Sequence, residues 1–502
     1  MLCTTIREIL VNAEKKLGTE DAIRYKKSKN EIETKSYTDL KNDSESLSNA
    51  LRKLGAEGGH VAFTGATSYP WIVTYFGIVG SGRVAVPLDV SLPAEDMLEL
   101  IDRSDATIFL ADAVRSDILA VVKERCPKIE YVISLTNEET TDEQLSFWKL
   151  LEEYKGACDY EPQPEQLATI MFTSGTTGKS KGVMLTHRNL AENATVLDMN
   201  FPPRSVLLSV LPIHHAYCLT MDILKGIDCG SIICINDSLI RMVKNFKVFK
   251  PTIILMVPLM IETVAKKLEE AAELPPEIVK KEVFGEQLQY ICSGGAYMPP
   301  AMVDLFAKYD IKILQGYGMT ECAPVISTTV PWNIRKGTVG QLIPNCEAKV
   351  VDEELWVRGS SVMQGYYNMP EETAETLVDG WLRTGDLGYV DEEGFVYLTG
   401  RKKNLIITKN GENVSPEELE NKIGEHRLIQ EILVRESEGF IEAEIFPDLE
   451  YAEKIGVTDM TVEMQKIIDE YNFGAPAYKK VYRLKVRDTE FPKTPSKKIK
   501  RY

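Results

Sequence analysis

Residues 171–182, MFTSGTTGKSKG, place three glycines, five hydroxyl side chains and two lysines behind an apolar lead-in. Glycine turns expose backbone N–H groups, and hydroxyls and ammonium groups add donors, so such a loop suits an anion and above all phosphate. Gly178-Lys179-Ser180 invites comparison with a Walker A loop. That loop needs a second glycine five positions before Gly178, where this chain has Thr173. A Walker loop also runs straight into a helix, whereas GVMLT follows here and reads as a strand, with a helix starting only near Thr186. The expectation is therefore a loop between two strands. Thr173, Ser174, Gly175, Thr176, Thr177, Gly178 and Lys181 would wrap the outer phosphates of ATP, with Lys179 adding charge.

The elements that must position this loop are legible as alternating helices and apolar strands. TTIREILVNAEKKL and YTDLKNDSESLSNALRKLG have helical spacing; HVAFTGAT and ATIFLADA read as buried strands. The pattern recurs in SVLLSVLPIHH, GSIICIN, PTIILMVP, LQYICSGGA and IKILQGYG, each an apolar strand running into a turn with Gly, Pro or His. Alternation of this kind predicts α/β layers with mostly parallel sheets, and ligands gather at the carboxyl ends of such strands. After about residue 330 hairpin signals take over: LGYVDEEGFVYLTG turns at Glu393-Gly394 and LIITKNGENV at Asn410-Gly411. SPEELENKI predicts a helix with Ser415 as cap, Pro416 at its first position and Glu418 closing a capping box. The fold class expected is a large multi-layer α/β N-terminal domain followed by a small mobile α+β C-terminal domain.

Composition bounds the class. A chain of 502 residues implies two or three domains. Hydrophobic residues at 44% and charged residues at 26% are the balance of a soluble globular protein. A net charge of −17 excludes nucleic acid as an electrostatic partner, so any nucleotide is a small molecule. Nine scattered cysteines without a C-x-x-C suit free thiols in a reducing cytoplasm and argue against a zinc site or a disulfide framework. The start lacks a secretion signal, and the longest apolar run, residues 252–261, is about half a membrane span. No transmembrane segment is expected, while contact with a membrane surface stays open. From residue 479 onward ten cations face only Asp488 and Glu490, which reads either as a solvated tail or as a basic segment that meets phosphates.

FTSGTTGKSKGVMLTHRN resembles the phosphate-loop signature of the acyl-adenylate-forming (AMP-binding) enzymes, closest to the medium- and long-chain fatty acyl-CoA synthetases. GYGMTE (316–321), GWLRTGD (380–386), GRKKNLIITKNGENVSPEELE (400–420) and PKTPSKKIKR (492–501) match further motifs of that family in order, so the likeness spans the chain. The resemblance implies two domains, 1–401 with the ATP and acyl sites and a mobile 402–502, with a hinge at Lys402. It implies that Gly294, Gly295 and Ala296 line adenine on one side and Gln315, Gly316, Tyr317 and Gly318 on the other. A tyrosine there can stack on a flat ring, Thr320 can donate to the α-phosphate, and Glu321 can hold Mg²⁺. Asp386 is implied as the ribose ligand with Arg401 beside it, and Gly411 as the residue that lets the CoA thiol arm pass.

The implied chemistry has two halves. A substrate carboxylate attacks the α-phosphorus of ATP to give an acyl-adenylate and pyrophosphate, and a thiol then takes the acyl group. Lys498 is implied as the cation that holds the two anions together in the first half. The family has a glycine just before this lysine and the chain has Lys497, so the register favours Lys498 while leaving Lys497 as a rival. Ser180 stands where proline is usual. LPIHHAYCLT (211–220) matches the segment beside the carboxylate. It carries His214-His215 and no acid, which favours an uncharged acyl chain over an amino acid, with His215 contacting carboxylate or adenylate. The expected activity is a fatty-acid–CoA ligase using ATP, Mg²⁺ and CoA. The alternatives are loading of an acyl-carrier or peptidyl-carrier protein, and ligation of an aryl or other carboxylic acid.

Overall fold

The computed structural model describes residues 2–28, 31–55, 57–173, 179–271, 273–408, 412–493 and 499–501. The chain divides into two compact units, one of residues 1–348 and 357–382, the other of residues 349–356 and 383–502.

The first unit is built on two large sheets. One has nine strands, and six of them, from Asp21–Ser28 to Lys312–Gly318, run parallel; inner ones such as Ile253–Met256 and Ile232–Ile235 are wholly apolar and buried. Strands buried on both faces have this composition because helices cover each side. The other sheet has eight strands in which Leu167–Thr173, Val84–Pro87, His60–Thr64, Ala106–Ala111, Tyr131–Ser134 and Leu145–Ser146 are parallel neighbours. Helix Tyr69–Gly80 is apolar all round and buried almost throughout, as a helix packed on every side must be. Helices begin where the sequence supplies caps: Thr5 with Glu8 starts Ile6–Leu17, and Ser36 with Asp39 starts Tyr37–Lys53, each as a reciprocal capping box.

The second unit contains a three-stranded sheet of Ile429–Ser437, Phe440–Pro447 and Arg483–Val486, packed against helices Pro416–Gly424 and Met460–Gly474. Ile406–Ile407 and Asn413–Val414 pair antiparallel, and their connecting turn lies outside the described residues. Helix Pro416–Gly424 starts where expected, but no capping box forms. The Ser415 hydroxyl instead donates to the Thr399 carbonyl at 2.7 Å and lies 3.1 Å from a Glu417 oxygen, while Glu418 is engaged by Lys479 at 2.7 Å. A tertiary partner outcompetes the local one.

The basic C-terminal stretch is neither a free tail nor an open anion surface over most of its described length. Lys479 holds Glu418, Arg483 holds Glu438, and Lys485 and Arg487 join Arg435 around the buried Glu444 at 2.7–3.1 Å. Lys493 holds Glu431 and Glu490, and Arg501 holds Glu417 and Glu420. These cations are spent on carboxylates of their own unit. None of the nine cysteines is in a disulfide, and among the described residues no helix is long and apolar enough to cross a membrane.

Candidate active site

The phosphate loop joins two antiparallel strands, Leu167–Thr173 and Lys181–Thr186, as its sequence requires. Thr173 sits opposite Lys181 in the ladder, and its hydroxyl reaches the Lys181 carbonyl at 3.5 Å. Ser174, Gly175, Thr176, Thr177 and Gly178 lie outside the described residues. The returning side of the loop is gripped by Arg103, which donates to the Ser180 carbonyl at 2.7 Å and lies 5.7 Å from the Phe172 ring. Thr186 then caps helix His187–Thr195 in a capping box with Asn189.

A second segment is brought to this hairpin by buried hydrogen bonds. Strand Lys312–Gly318 ends in a 3₁₀ turn, Thr320–Cys322. Asn193, on the helix after the loop, donates to the Cys322 and Val325 carbonyls at 3.1 and 2.9 Å and accepts from the Val325 N–H at 3.1 Å. Thr220, on the π-helical turn Cys218–Leu224, donates to the Ala323 carbonyl at 3.0 Å. Strand Gly365–Tyr366 lies beside the hairpin, with Tyr366 opposite Val183, and the Met363 N–H donates to the Glu321 carbonyl at 2.9 Å. The Tyr366 hydroxyl donates to Glu321 Oε1 at 2.8 Å, and Lys181 Nζ stands 4.7 Å from the Tyr366 ring centre. Burial and the adjoining Glu321 carboxylate push the Tyr366 phenol well above its usual range, so it stays a donor.

The implied adenine-binding segments are neighbours too. Ser293 pairs with Gln315 in the parallel sheet, so Gly294, Gly295 and Ala296 leave the sheet beside Gln315, Gly316, Tyr317 and Gly318. A Cβ at Gly294 would stand 3.4 Å from the Gly316 carbonyl oxygen and 3.3 Å from the Tyr217 ring, and one at Gly318 would strike the Pro324 carbonyl at 1.9 Å. Gly318 is required by this close approach, whereas Gly294 is only tightly packed. Tyr317 itself is 9% exposed.

The His214-His215 segment lacks an acid in its own sequence, yet the fold supplies two carboxylates to its neighbourhood. Asp89 stands 3.6 Å from His214 Nε2. Asp222 is completely buried, accepts from the Ser209 hydroxyl at 2.9 Å and lies 3.4 Å from the Cys218 sulfur. Burial pushes Asp222 up to about 7. The two imidazoles are 4.2 Å apart. Burial, aided by the His215 charge and opposed by Asp89, brings His214 down to about 4, so it is neutral at pH 7. His215 is the exposed member of the pair.

In the second unit Asp386 and Arg401 face each other across the antiparallel strands Trp381–Val390 and Val396–Arg401, with Arg401 Nε 2.8 Å from Asp386 Oδ1. Asp386 is 7% exposed. Lys402 opens a 3₁₀ turn and its Nζ lies 2.9 Å from Glu354 Oε2. Gly411, Lys497 and Lys498 lie outside the described residues. The flanks of residues 494–498 are anchored: Lys493 bridges to Ile499, the Lys500 N–H donates to the Pro492 carbonyl at 2.8 Å, and Arg501 Nη1 donates to Glu420 at 2.9 Å.

Sequence reasoning missed Tyr366, Arg103, Asn193 and Glu354, because each acts on a partner distant in the chain. Among the described residues no group of three or more His, Cys, Asp and Glu could hold a metal alone. A single carboxylate such as Glu321 fits magnesium, which usually takes one or two carboxylates together with substrate phosphates.

Comparison with known proteins shows the family and the fold. Residues 12–367 match the AMP-binding enzyme family and residues 403–502 match the AMP-binding enzyme C-terminal domain. Over 291 residues the chain is 33% identical to a long-chain-fatty-acid–CoA ligase of Escherichia coli O157:H7, covering 54% of this chain and only 50% of the relative. It is 28% identical over 455 residues to a long-chain-fatty-acid–CoA ligase of Mycobacterium bovis, covering 80% and 75%. The crystal structure of an anthranilate CoA ligase in complex with anthranoyl-AMP superimposes with a TM-score of 0.83 at 20% identity, covering 99% of this chain and 95% of that one. The chain belongs to the AMP-binding enzyme family.

Proposed function

We propose that the protein is an ATP-dependent acid–CoA ligase that activates a fatty acid as its acyl-adenylate and passes the acyl group to CoA, releasing AMP and pyrophosphate. The observation that carries this reading is the bridge made by Tyr366, which ties Glu321 to the phosphate-loop hairpin at Lys181. A carboxylate fixed beside a loop of hydroxyls, glycines and lysines is an arrangement for phosphate oxygens and a hard cation. Magnesium held there by Glu321 would neutralise charge on the phosphates.

The chain's own residues divide the rest. Thr173, Lys181 and the loop between them bind the outer phosphates, and Thr320 donates to the α-phosphate. Residues 294–296 and 315–318 hold adenine, and Asp386 with Arg401 holds the ribose hydroxyls. His215 meets the carboxylate or the adenylate. Lys498 holds the carboxylate against the α-phosphorus while negative charge accumulates between two anions. The small domain then turns about Lys402, withdraws that lysine and admits the thiol past Gly411. Nine cysteines outside any disulfide accord with work in the cytoplasm.

Pyrophosphate release across a panel of fatty, aryl and amino acids tests the reading, with CoA and a phosphopantetheinylated carrier protein compared as acceptors. Release driven by fatty acids and thioester formation on CoA are the expected results. Release driven by aryl or amino acids alone, or acylation of the carrier alone, would replace the proposed substrate or acceptor.

A further inference from the structure

We infer that Glu354 is a positioning residue for the Asp386–Arg401 ribose cradle, holding the chain on both sides of that pair with one buried carboxylate. The inference rests on the assignment of Asp386 and Arg401 to the ribose.

Glu354 is 2% exposed and opens strand Glu354–Gly359. Its Oε1 accepts from the Gly385 N–H at 3.0 Å. Its Oε2 accepts from Lys402 Nζ at 2.9 Å and lies 3.7 Å from Arg383 Nε. A carboxylate taken out of water is retained only where such partners satisfy it. Burial works against its charge, yet Lys402 and the Gly385 N–H hold the carboxyl below its usual range.

The two partners are the residues next to the cradle. Gly385 immediately precedes Asp386 and has a φ of 69°, a left-handed conformation that leaves its N–H pointing at the carboxylate. Lys402 immediately follows Arg401. The same strand adds a second grip: the Thr384 hydroxyl donates to the Leu355 carbonyl at 2.6 Å and accepts from the Asp386 N–H at 3.1 Å. Arg401 in turn donates to the Thr384 carbonyl at 3.4 Å. The strand segment carrying the carboxylate and the strand end carrying the guanidinium are thus referred to one anchor. With that anchor loosened, Asp386 and Arg401 keep their identities but lose the fixed spacing that two ribose hydroxyls demand.

The test is acyl-dependent pyrophosphate release with ATP, 2′-deoxy-ATP and 3′-deoxy-ATP as co-substrates. Wild type is expected to select ATP over both deoxynucleotides in kcat/KM. Glu354→Gln keeps an acceptor for Gly385 and removes the charge that Lys402 needs. It is expected to reduce the selection about tenfold, the equivalent of one charge-assisted hydrogen bond, with the KM for the acid unchanged. Lys402→Gln is expected to do part of the same, and the double variant to be no worse than Glu354→Gln alone, since both break one interaction. Lys402 is the more exposed partner, so its variant carries the test if Glu354→Gln does not fold. Unchanged selection in the folded variants, or additive losses in the double variant, overturns the inference. A wild type that accepts deoxy-ATP as readily as ATP removes the ribose assignment itself, and the inference falls with it.

Discussion

The Tyr366 hydroxyl donates to Glu321 Oε1 at 2.8 Å while the Tyr366 ring lies 4.7 Å from Lys181 Nζ. One aromatic side chain therefore orients the candidate magnesium ligand and seats a cation of the phosphate loop. Tyr366→Phe keeps the ring and removes only the hydrogen bond. Neutral partners of a carboxylate contribute about 1–2 kcal/mol, so adenylation should slow about tenfold at limiting magnesium and recover as magnesium is raised. Lys181 should keep its place over the ring, leaving the KM for the fatty acid unaltered. Titration of initial rate against free magnesium checks this; a deficit that persists at saturating magnesium would show that Tyr366 does not act through Glu321.

Lys498→Ala should nearly abolish acyl-dependent pyrophosphate release and leave thioester formation from a supplied acyl-adenylate largely intact. The electrostatic work of the lysine belongs to the first transition state alone. Lys497→Ala should lower the same rate by less than tenfold. Parallel assays of the two half-reactions decide between them, and equal loss in both halves for Lys498→Ala would assign the residue a structural role instead.

What the sequence shows and what it hides follows from distance along the chain. The hairpin of the phosphate loop, the Thr186 helix start and the strand–turn order of the first unit rest on contacts within a few residues, so their patterns are local. The same logic places the Ser415 cap position correctly but wrongly expects its capping box with Glu418, because the Thr399 carbonyl arrives from 16 residues away and takes the Ser415 hydroxyl. Tyr366 and Glu321 are 45 residues apart, and Lys402 and Glu354 are 48. No periodicity in either segment marks such a pair. The charge run after residue 479 misled for the same reason: its neutralising carboxylates, Glu418, Glu431, Glu438 and Glu444, are scattered through the preceding segments.

The flanks of residues 494–498 yield a prediction that separates anchoring from catalysis. Arg501 pairs with Glu417 and with the largely buried Glu420. Burial raises the Glu420 carboxyl and the Arg501 charge opposes that shift. Arg501→Met removes the cation and leaves Glu420 buried and uncompensated. Loss of one partner from such a pair costs about 3 kcal/mol, so the midpoint of denaturant unfolding should fall. Adenylation should fall with it, because Lys498 loses its tether, whereas Glu420→Gln combined with Arg501→Met should recover much of the stability and little of the rate. Recovery of both together would mean that stability alone limits the rate.

Asp222 supplies a pH signature that does not pass through catalysis. Its carboxyl is fully buried among Ser209, Cys218, Tyr217 and Cys292, and burial lifts it from 3.8 to about 7. A folded pKa above the unfolded one means that the native state binds the proton more tightly, so this stabilisation is complete below about pH 3.8 and is lost as pH rises to about 7. His187 and His214 act in the opposite sense. Burial depresses them to about 3 and about 4, and their stabilisation is present above the usual histidine range and lost as pH falls. The wild-type profile therefore mixes two slopes, and the Asp222 share is isolated as the difference from Asp222→Asn. That difference should grow in favour of the variant from about pH 4 to about pH 7 and stay level above it, with a total on the order of a few kcal/mol. Denaturant unfolding at half-unit pH steps measures it, and a difference independent of pH would show that Asp222 is ionised in the folded protein throughout.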